Sequence, residues 1–198
     1  MKQVKGFSRE NVYKEAERLP AGGYVLKVLD VKYMEYDWGD QIVLYFDIIE
    51  GEHKDHFKNN YQAQTGEDKK WKGAYRLNVP KDDGSEKDEW SVKRFNTTIV
   101  AFEESNPGYH WDWDEGTLKG KVVGSVFNNK EFELDNGQRG FYTNCHHLVS
   151  ADLIRKGAYK IPADTLLKKG VAANTQAVSD DGFLNIPDGV EDEQMPFN

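Results

Sequence analysis

Apolar and polar positions alternate over much of the first half of the chain, with the two-residue period of a β-strand. Tyr24, Leu26 and Val28 share one face, while Val25, Lys27, Leu29, Val31 and Tyr33 take the alternate positions. This predicts a strand over 24–34 with both faces partly covered. Ahead of it, Val12, Ala16 and Leu19 recur at helical spacing behind a potential N-cap, Ser8, and stop at Pro20 and Gly22-Gly23, predicting a short helix over 8–18. Tyr36-Asp37-Trp38-Gly39-Asp40 reads as a turn, and 41–49 as a second strand ending at Glu50-Gly51. Ile42, Val43, Leu44, Tyr45 and Phe46 are all apolar or aromatic, so this strand is expected to be central. A third strand is predicted over 71–79, ending at Pro80.

The period then changes. After the polar stretch 81–86, Val92, Phe95, Ile99 and Phe102 recur at steps of three and four, predicting the one long helix. Ser85-x-x-Asp88 resembles a capping box with Asp in the place of Glu, and Asn106-Pro107-Gly108 supplies the stop. Strands follow over 120–128 and 141–149, with a further piece at 131–134. Asp135-Asn136-Gly137 provides the hairpin turn, and a short helical stretch surrounds Leu153 and Ile154. The order strand, strand, strand, helix, strand, strand is that of the OB-fold, a five-stranded barrel with a helix between strands three and four. The fold class expected is therefore mainly β and OB-fold-like, with a small open α+β sheet as the competitor. Residues 1–160 form the expected domain, and 161–198 a linker and tail.

Charge changes this picture at the C-terminus. The 198 residues hold 26 Lys and Arg against 34 Asp and Glu, a formal charge of −8. Six of those acids (Asp180, Asp181, Asp188, Glu191, Asp192 and Glu193) lie in 171–198, which has no Lys or Arg. Removing them leaves 26 basic and 28 acidic side chains in the first 170 residues, close to balance. An acidic protein does not coat duplex DNA through bulk positive charge. The tail lacks a periodic apolar face and is expected to be disordered, because it cannot bury enough surface to offset its ordering entropy. At its end, Met195-Pro196-Phe197 follows the acids, a pattern suited to docking in a basic-rimmed groove with Phe197 as anchor. The longest apolar run, Ile42 to Phe46, is five residues, so no membrane-spanning helix is expected. One cysteine and no signal-peptide core point to a reducing cytoplasmic compartment.

Candidate chemistry concentrates in 53–76. Lys54, Lys58, Lys69, Lys70, Lys72 and Arg76 outnumber Asp55, Glu67 and Asp68, six to three, and are interleaved with Phe57, Tyr61, Trp71 and Tyr75. Cations hold phosphates while flat rings stack unpaired bases. Tyr36 and Trp38, in the loop between strands one and two, are expected to join the same groove. Tyr75 shares strand parity with Leu77 and Val79, so a core position for it stays open. Asp112-x-Asp114-Glu115 offers clustered carboxylates for a Mg²⁺-dependent nuclease, an outside reading in which Lys119 or Lys121 steadies the leaving charge. Cys145-His146-His147 resembles metal ligands, but alternation along a strand sends neighbours to opposite faces, and Cys145 is expected to be a packing residue. No catalytic centre, metal site or cofactor site is expected.

Several phrases are similar to phage- and mobile-element-encoded single-stranded-DNA-binding proteins of Gram-positive bacteria. They are Leu19-Pro20-Ala21-Gly22-Gly23-Tyr24, Lys70-Trp71-Lys72-Gly73-Ala74-Tyr75-Arg76, Ser105-Asn106-Pro107-Gly108-Tyr109 before Trp111-Asp112-Trp113, and Leu118-Lys119-Gly120-Lys121. The likeness covers about residues 7–160. Glu191-Asp192-Glu193-Gln194-Met195-Pro196-Phe197 resembles the acidic, Pro-Phe-tipped ending of bacterial and phage single-strand binders. It departs from that ending in placing Asn198 after the phenylalanine, which moves the terminal carboxylate one residue on. The resemblance implies a non-enzymatic, largely sequence-independent binder of single-stranded DNA in a bacterial host cell, and it allows a homo-oligomer. It further implies that the tip recruits replication or recombination proteins and competes with DNA for the groove. A protein-binding module that does not bind nucleic acid is the alternative from a different class.

Overall fold

A computed structural model describes residues 18–65 and 67–167. The helix predicted over 8–18 falls almost wholly outside them, and the acidic tail with Glu191, Asp192, Glu193, Met195, Pro196 and Phe197 falls entirely outside.

The fold is mainly β. Strands β1 (Gly22–Met34), β2 (Gln41–Ile48), β3 (Ala74–Asn78), β4 (Val122–Glu133) and β5 (Arg139–Val149) form one sheet in the order β3-β2-β1-β4-β5. All four pairings are antiparallel. Helix α1 (His56–Ala63) lies between β2 and β3, α2 (Glu86–Ser105) between β3 and β4, and α3 (Ala151–Arg155) after β5. No helix among the described residues is long and apolar enough to cross a membrane.

One face of the sheet builds the core. Leu26, Val28, Ile42, Leu44, Phe46, Ile48, Tyr75, Leu77, Val123 and Phe127 pack with Phe95, Ile99 and Phe102 of α2. Each large apolar side chain fully removed from water contributes roughly 1.5–3 kcal/mol. β2 is buried along its whole length, as its unbroken apolar run predicts. In β1 a register shift at Leu29 flips the parity: Val28 faces the core before it and Val31 after it. That shift turns Lys32 outward, opposite Val43, which in turn pairs with Arg76.

The helices close the ends of this core. On α2, Arg94 donates to the Tyr75 hydroxyl in β3 and to the His146 carbonyl in β5, spanning the two edge strands. The α2 C-cap Asn106 takes the Val122 N–H on its side-chain oxygen and donates to the Phe102 and Val122 carbonyls, tying the helix end to β4. At the N-terminus Ser85 accepts the Asp88 N–H, half of the expected capping box. The buried Asp88 carboxylate does not return to Ser85. It takes the N–H groups of Lys81 and Asp83 instead, while Asp83 takes that of Ser85. α3 lies over β1 and β4 where Gly23 and Gly124 leave room: a Cβ on Gly124 would sit 2.6 Å from the Ser150 carbonyl oxygen.

Three differences from the sequence reading have physical causes. α1 was not expected, because His56–Ala63 has one buried apolar side chain, Phe57, and no side-chain cap of its own. The strand pieces at 120–128 and 131–134 form one continuous strand, which runs past the start of β1 with β5 as a two-stranded arm. The start of the predicted linker is bound: Thr165 bridges Lys130 in parallel, its N–H donating to the Asn129 carbonyl while Glu131 donates to its own carbonyl.

Candidate nucleic-acid interface

The loop after β1 is held rigid by its own hydrogen bonds. Gly39 donates to the Tyr36 carbonyl, Val79 to the Asp40 carbonyl, and the Tyr33 hydroxyl to Asp40 Oδ2 at 2.7 Å. That last bond pushes the Tyr33 phenol up to about 12. Within this frame Tyr36 and Trp38 stack with ring centroids 5.0 Å apart and planes 9° from parallel, both half-buried. Lys81 runs alongside, its Cε 3.1 Å from where a Cβ on Gly39 would stand.

The second group of rings sits at the other end of the β2–β3 ladder and depends on a buried carboxylate. Asp55, the residue before α1, is left-handed and offers no cap. Asp47 of β2 substitutes for it, accepting the N–H groups of Phe57 and Lys58 as well as that of Ile48. Burial raises the Asp47 carboxyl above its ordinary value in spite of these donors. α1 so fixed places Tyr61 5.9 Å from Trp71, with Lys69 Nζ 5.7 Å from the Tyr61 ring. The Trp71 indole N–H is shared between the Phe46 and Gly73 carbonyls. Gln64 clasps the backbone of Lys70 at both its N–H and its carbonyl, which sets that exposed cation on the loop.

The first ring group adjoins Gln41, paired with Asn78, and the second adjoins Tyr45, paired with Ala74. Gln41 and Tyr45 themselves stand roughly 14 Å apart, four residues along β2. Lys32 and Arg76 flank Val43 between them, and the Lys32 ammonium lies 5.4 Å from the Tyr45 ring.

Two rings expected in the groove are core residues. Tyr75 is 3% exposed and Phe57 8%. Strand parity sends Tyr75 inward with Leu77, and the Asp47 cap turns Phe57 onto Phe46 and Phe127. Tyr36, Trp38, Tyr61 and Trp71 are half-buried, with Trp71 packed against the core's edge. The cations Lys54, Lys58, Lys70, Lys72 and Arg76 are all exposed. Among the described residues none of these five makes an ion pair, whereas Lys119, Arg139 and Arg155 do.

The arm of β4 and β5 carries a platform absent from the sequence reading. On one face lie Lys130, Phe132 and Tyr142, with the Phe132 and Tyr142 rings 6.2 Å apart. Gly140, opposite Phe132, leaves room for that ring: a Cβ there would meet it at 2.8 Å. The other face holds Glu131 and Glu133, both paired with Arg139. The alternation Lys130, Phe132, Leu134 against Glu131, Glu133 is visible in the sequence and was the available signal.

The carboxylates of the nuclease reading serve the backbone. Asp114 Oδ1 accepts the Gly116 N–H at the start of a short 3-10 turn, and Asp112 Oδ1 accepts the Asp114 N–H. Among the described residues no three His, Cys, Asp or Glu side chains gather in a way that holds a metal ion. Cys145 is buried, and that burial pushes its thiol well up. Strict alternation fails beside it: an extra residue at His146 shifts the β4–β5 register and brings His146 Nδ1 within 2.8 Å of His147 Nδ1. No protein-family model matches the chain, and no curated protein sequence is similar to it.

Proposed function

We propose that this protein binds single-stranded DNA largely without regard to sequence, in phage or mobile-element replication or recombination in a bacterial host. The single observation carrying this reading is that Lys54, Lys58, Lys70, Lys72 and Arg76, on the stretch of chain that holds the Tyr61–Trp71 pair, are exposed and make no ion pair among the described residues, in a protein of net charge −8. Cations that make no ion pair stay open to phosphates, and rings held at fixed spacing accept unpaired bases. Support for an OB-type barrel opened between β3 and β5 comes from the strand order β3-β2-β1-β4-β5 and from Arg94, which bonds to both of those edge strands. In such a barrel the face of strands two and three, with the loops after strands one and four, meets oligonucleotides. In this reading the loop with Tyr36 and Trp38 and the arm with Phe132 and Tyr142 take those two loop positions. The acidic tail, in this reading, recruits replication or recombination proteins and competes for the same cations.

Fluorescence anisotropy of labelled oligo-dT over a salt series tests this. Affinity should fall steeply with salt, and Lys72→Glu with Arg76→Glu should make the log–log slope shallower by about 1.4, at about 0.7 per lost phosphate contact. An unchanged slope, or no salt-sensitive binding even in a chain shortened before Val171, would remove the reading.

A protein-binding role draws support from a different observation, the exposed and acid-flanked Trp113.

A further inference from the structure

Trp113 is 76% exposed, more than any other large apolar side chain among the described residues. It holds this place with φ at +67°, a left-handed conformation that bulky side chains avoid. The loop around it is not loose. The Trp111 backbone N–H donates to Glu103 Oε1, the Thr117 hydroxyl donates to the Asp114 carbonyl, and Tyr109 and Thr117 share a hydrogen bond. The indole is anchored 6.2 Å from Phe95, with planes 11° apart, and 6.2 Å from Trp111. A rigid ring directed into water at a strained position gives a partner a preformed surface at low entropic cost.

Its surroundings define that partner. Asp112 and Asp114, the two neighbours in sequence, are exposed, and neither pairs with a Lys or Arg among the described residues. Carboxylates beside an aromatic face repel phosphates, so a nucleic-acid strand is disfavoured here. They attract a cation, which the indole also attracts through its π-face, and Trp is the best side chain for that contact. A flat guanidinium stacks on the ring and meets a carboxylate with its N–H fork, which an ammonium cannot do together.

We propose that Trp113, with Asp112 and Asp114, is a docking point for an arginine-bearing segment of a partner protein, separate from the cationic surface and independent of the reading given to it. The test titrates the ¹⁵N-labelled full chain with the peptide acetyl-Gly-Arg-Gly-Arg-Arg-Gly-amide and follows the indole N–H resonances. That of Trp113 is assigned by its loss in Trp113→Phe. The expected result is a saturable shift of the Trp113 resonance, unaffected by saturating oligo-dT. Affinity should fall about five- to tenfold in Trp113→Ala, and by a smaller factor in Asp112→Asn. Circular dichroism and oligo-dT affinity of both variants report that the fold is intact. Equal peptide affinity in wild type and Trp113→Ala would place the peptide on other acids and overturn the proposal. So would a Trp113 shift driven by oligo-dT in place of the peptide, or no peptide binding.

Discussion

Asp47→Ala is expected to lower the unfolding free energy by about 3 kcal/mol, because hydrogen bonds to charged groups contribute about 1.5–3 kcal/mol each and buried donors left bare cost as much again. The carboxylate satisfies three N–H groups at once, two of them at the start of α1. Partial rehydration of the helix end keeps the loss below the sum. For a domain of this size that corresponds to a fall in Tm of about 6–12 °C. Thermal unfolding measures it, and a fall of less than about 2 °C would mean that Asp47 does not hold α1. The charge also gives the effect a sign in pH. Burial raises the Asp47 carboxyl, so the folded state keeps this proton at a pH where the unfolded chain has released it. The proton-linked part of the stability is present below the unfolded value and is lost as pH rises through the raised one, while the three hydrogen bonds to the carboxylate remain. Wild type should therefore lose stability relative to Asp47→Asn across that window. Parallel pH profiles would contradict the assignment.

Gly73→Ala should be comparably damaging, for steric reasons and not conformational ones. A Cβ on Gly73 would collide with the Phe46 carbonyl oxygen and stand 2.8 Å from the Phe57 ring. The backbone cannot retreat freely, because the Gly73 carbonyl accepts both the Phe46 N–H and the Trp71 indole N–H. Overpacking of this kind costs about 1–3 kcal/mol, and the lost hydrogen bonds bring the expected total to about 3 kcal/mol. The Trp71 indole should move into water, shifting its fluorescence to the red, and oligo-dT binding should weaken with it. Near-wild-type Tm and emission would show that the approach of 72–74 to β2 is not needed.

Both residues show which parts of the fold the chain declares locally. The long runs of β1, β2 and α2 were legible because periodicity and burial coincide there: Val92, Phe95, Ile99 and Phe102 mark α2, and five consecutive apolar residues mark β2. α1 was not legible, since its cap comes from Asp47 on a preceding strand and its only buried ring is Phe57. A tertiary hydrogen bond leaves no mark in a local window. The register shift at Leu29 was invisible for a related reason, because alternation on either side of it reads as one unbroken strand.

The candidate site was half legible. The exposure of Lys54, Lys58, Lys70, Lys72 and Arg76 was legible in residue type, because long charged side chains remain in water. Residue type did not sort the rings, because an aromatic side chain is as much at home in a core as in a groove. Parity settles Tyr75 once its strand is known, and only the helix cap settles Phe57. The arm was missed because Glu131 and Glu133 mask Lys130 in any count of charge along the chain. In space the two signs stand on opposite faces, with Arg139 neutralising the acids.

The central claim is that a DNA strand crosses the sheet from the Tyr36–Trp38 pair towards Tyr61–Trp71. Photo-crosslinking of the full chain to an oligonucleotide of about 12 residues, a length within the range of one OB-type site, tests it most directly when 5-iododeoxyuridine is used and adducts are mapped by mass spectrometry. Adducts are expected at Tyr36 or Trp38, at Tyr61 or Trp71, and at Phe132 or Tyr142 on the arm, all fading together as salt rises. Adducts confined to Trp90 or Trp113, or spread evenly over exposed aromatic residues without salt dependence, would contradict the account.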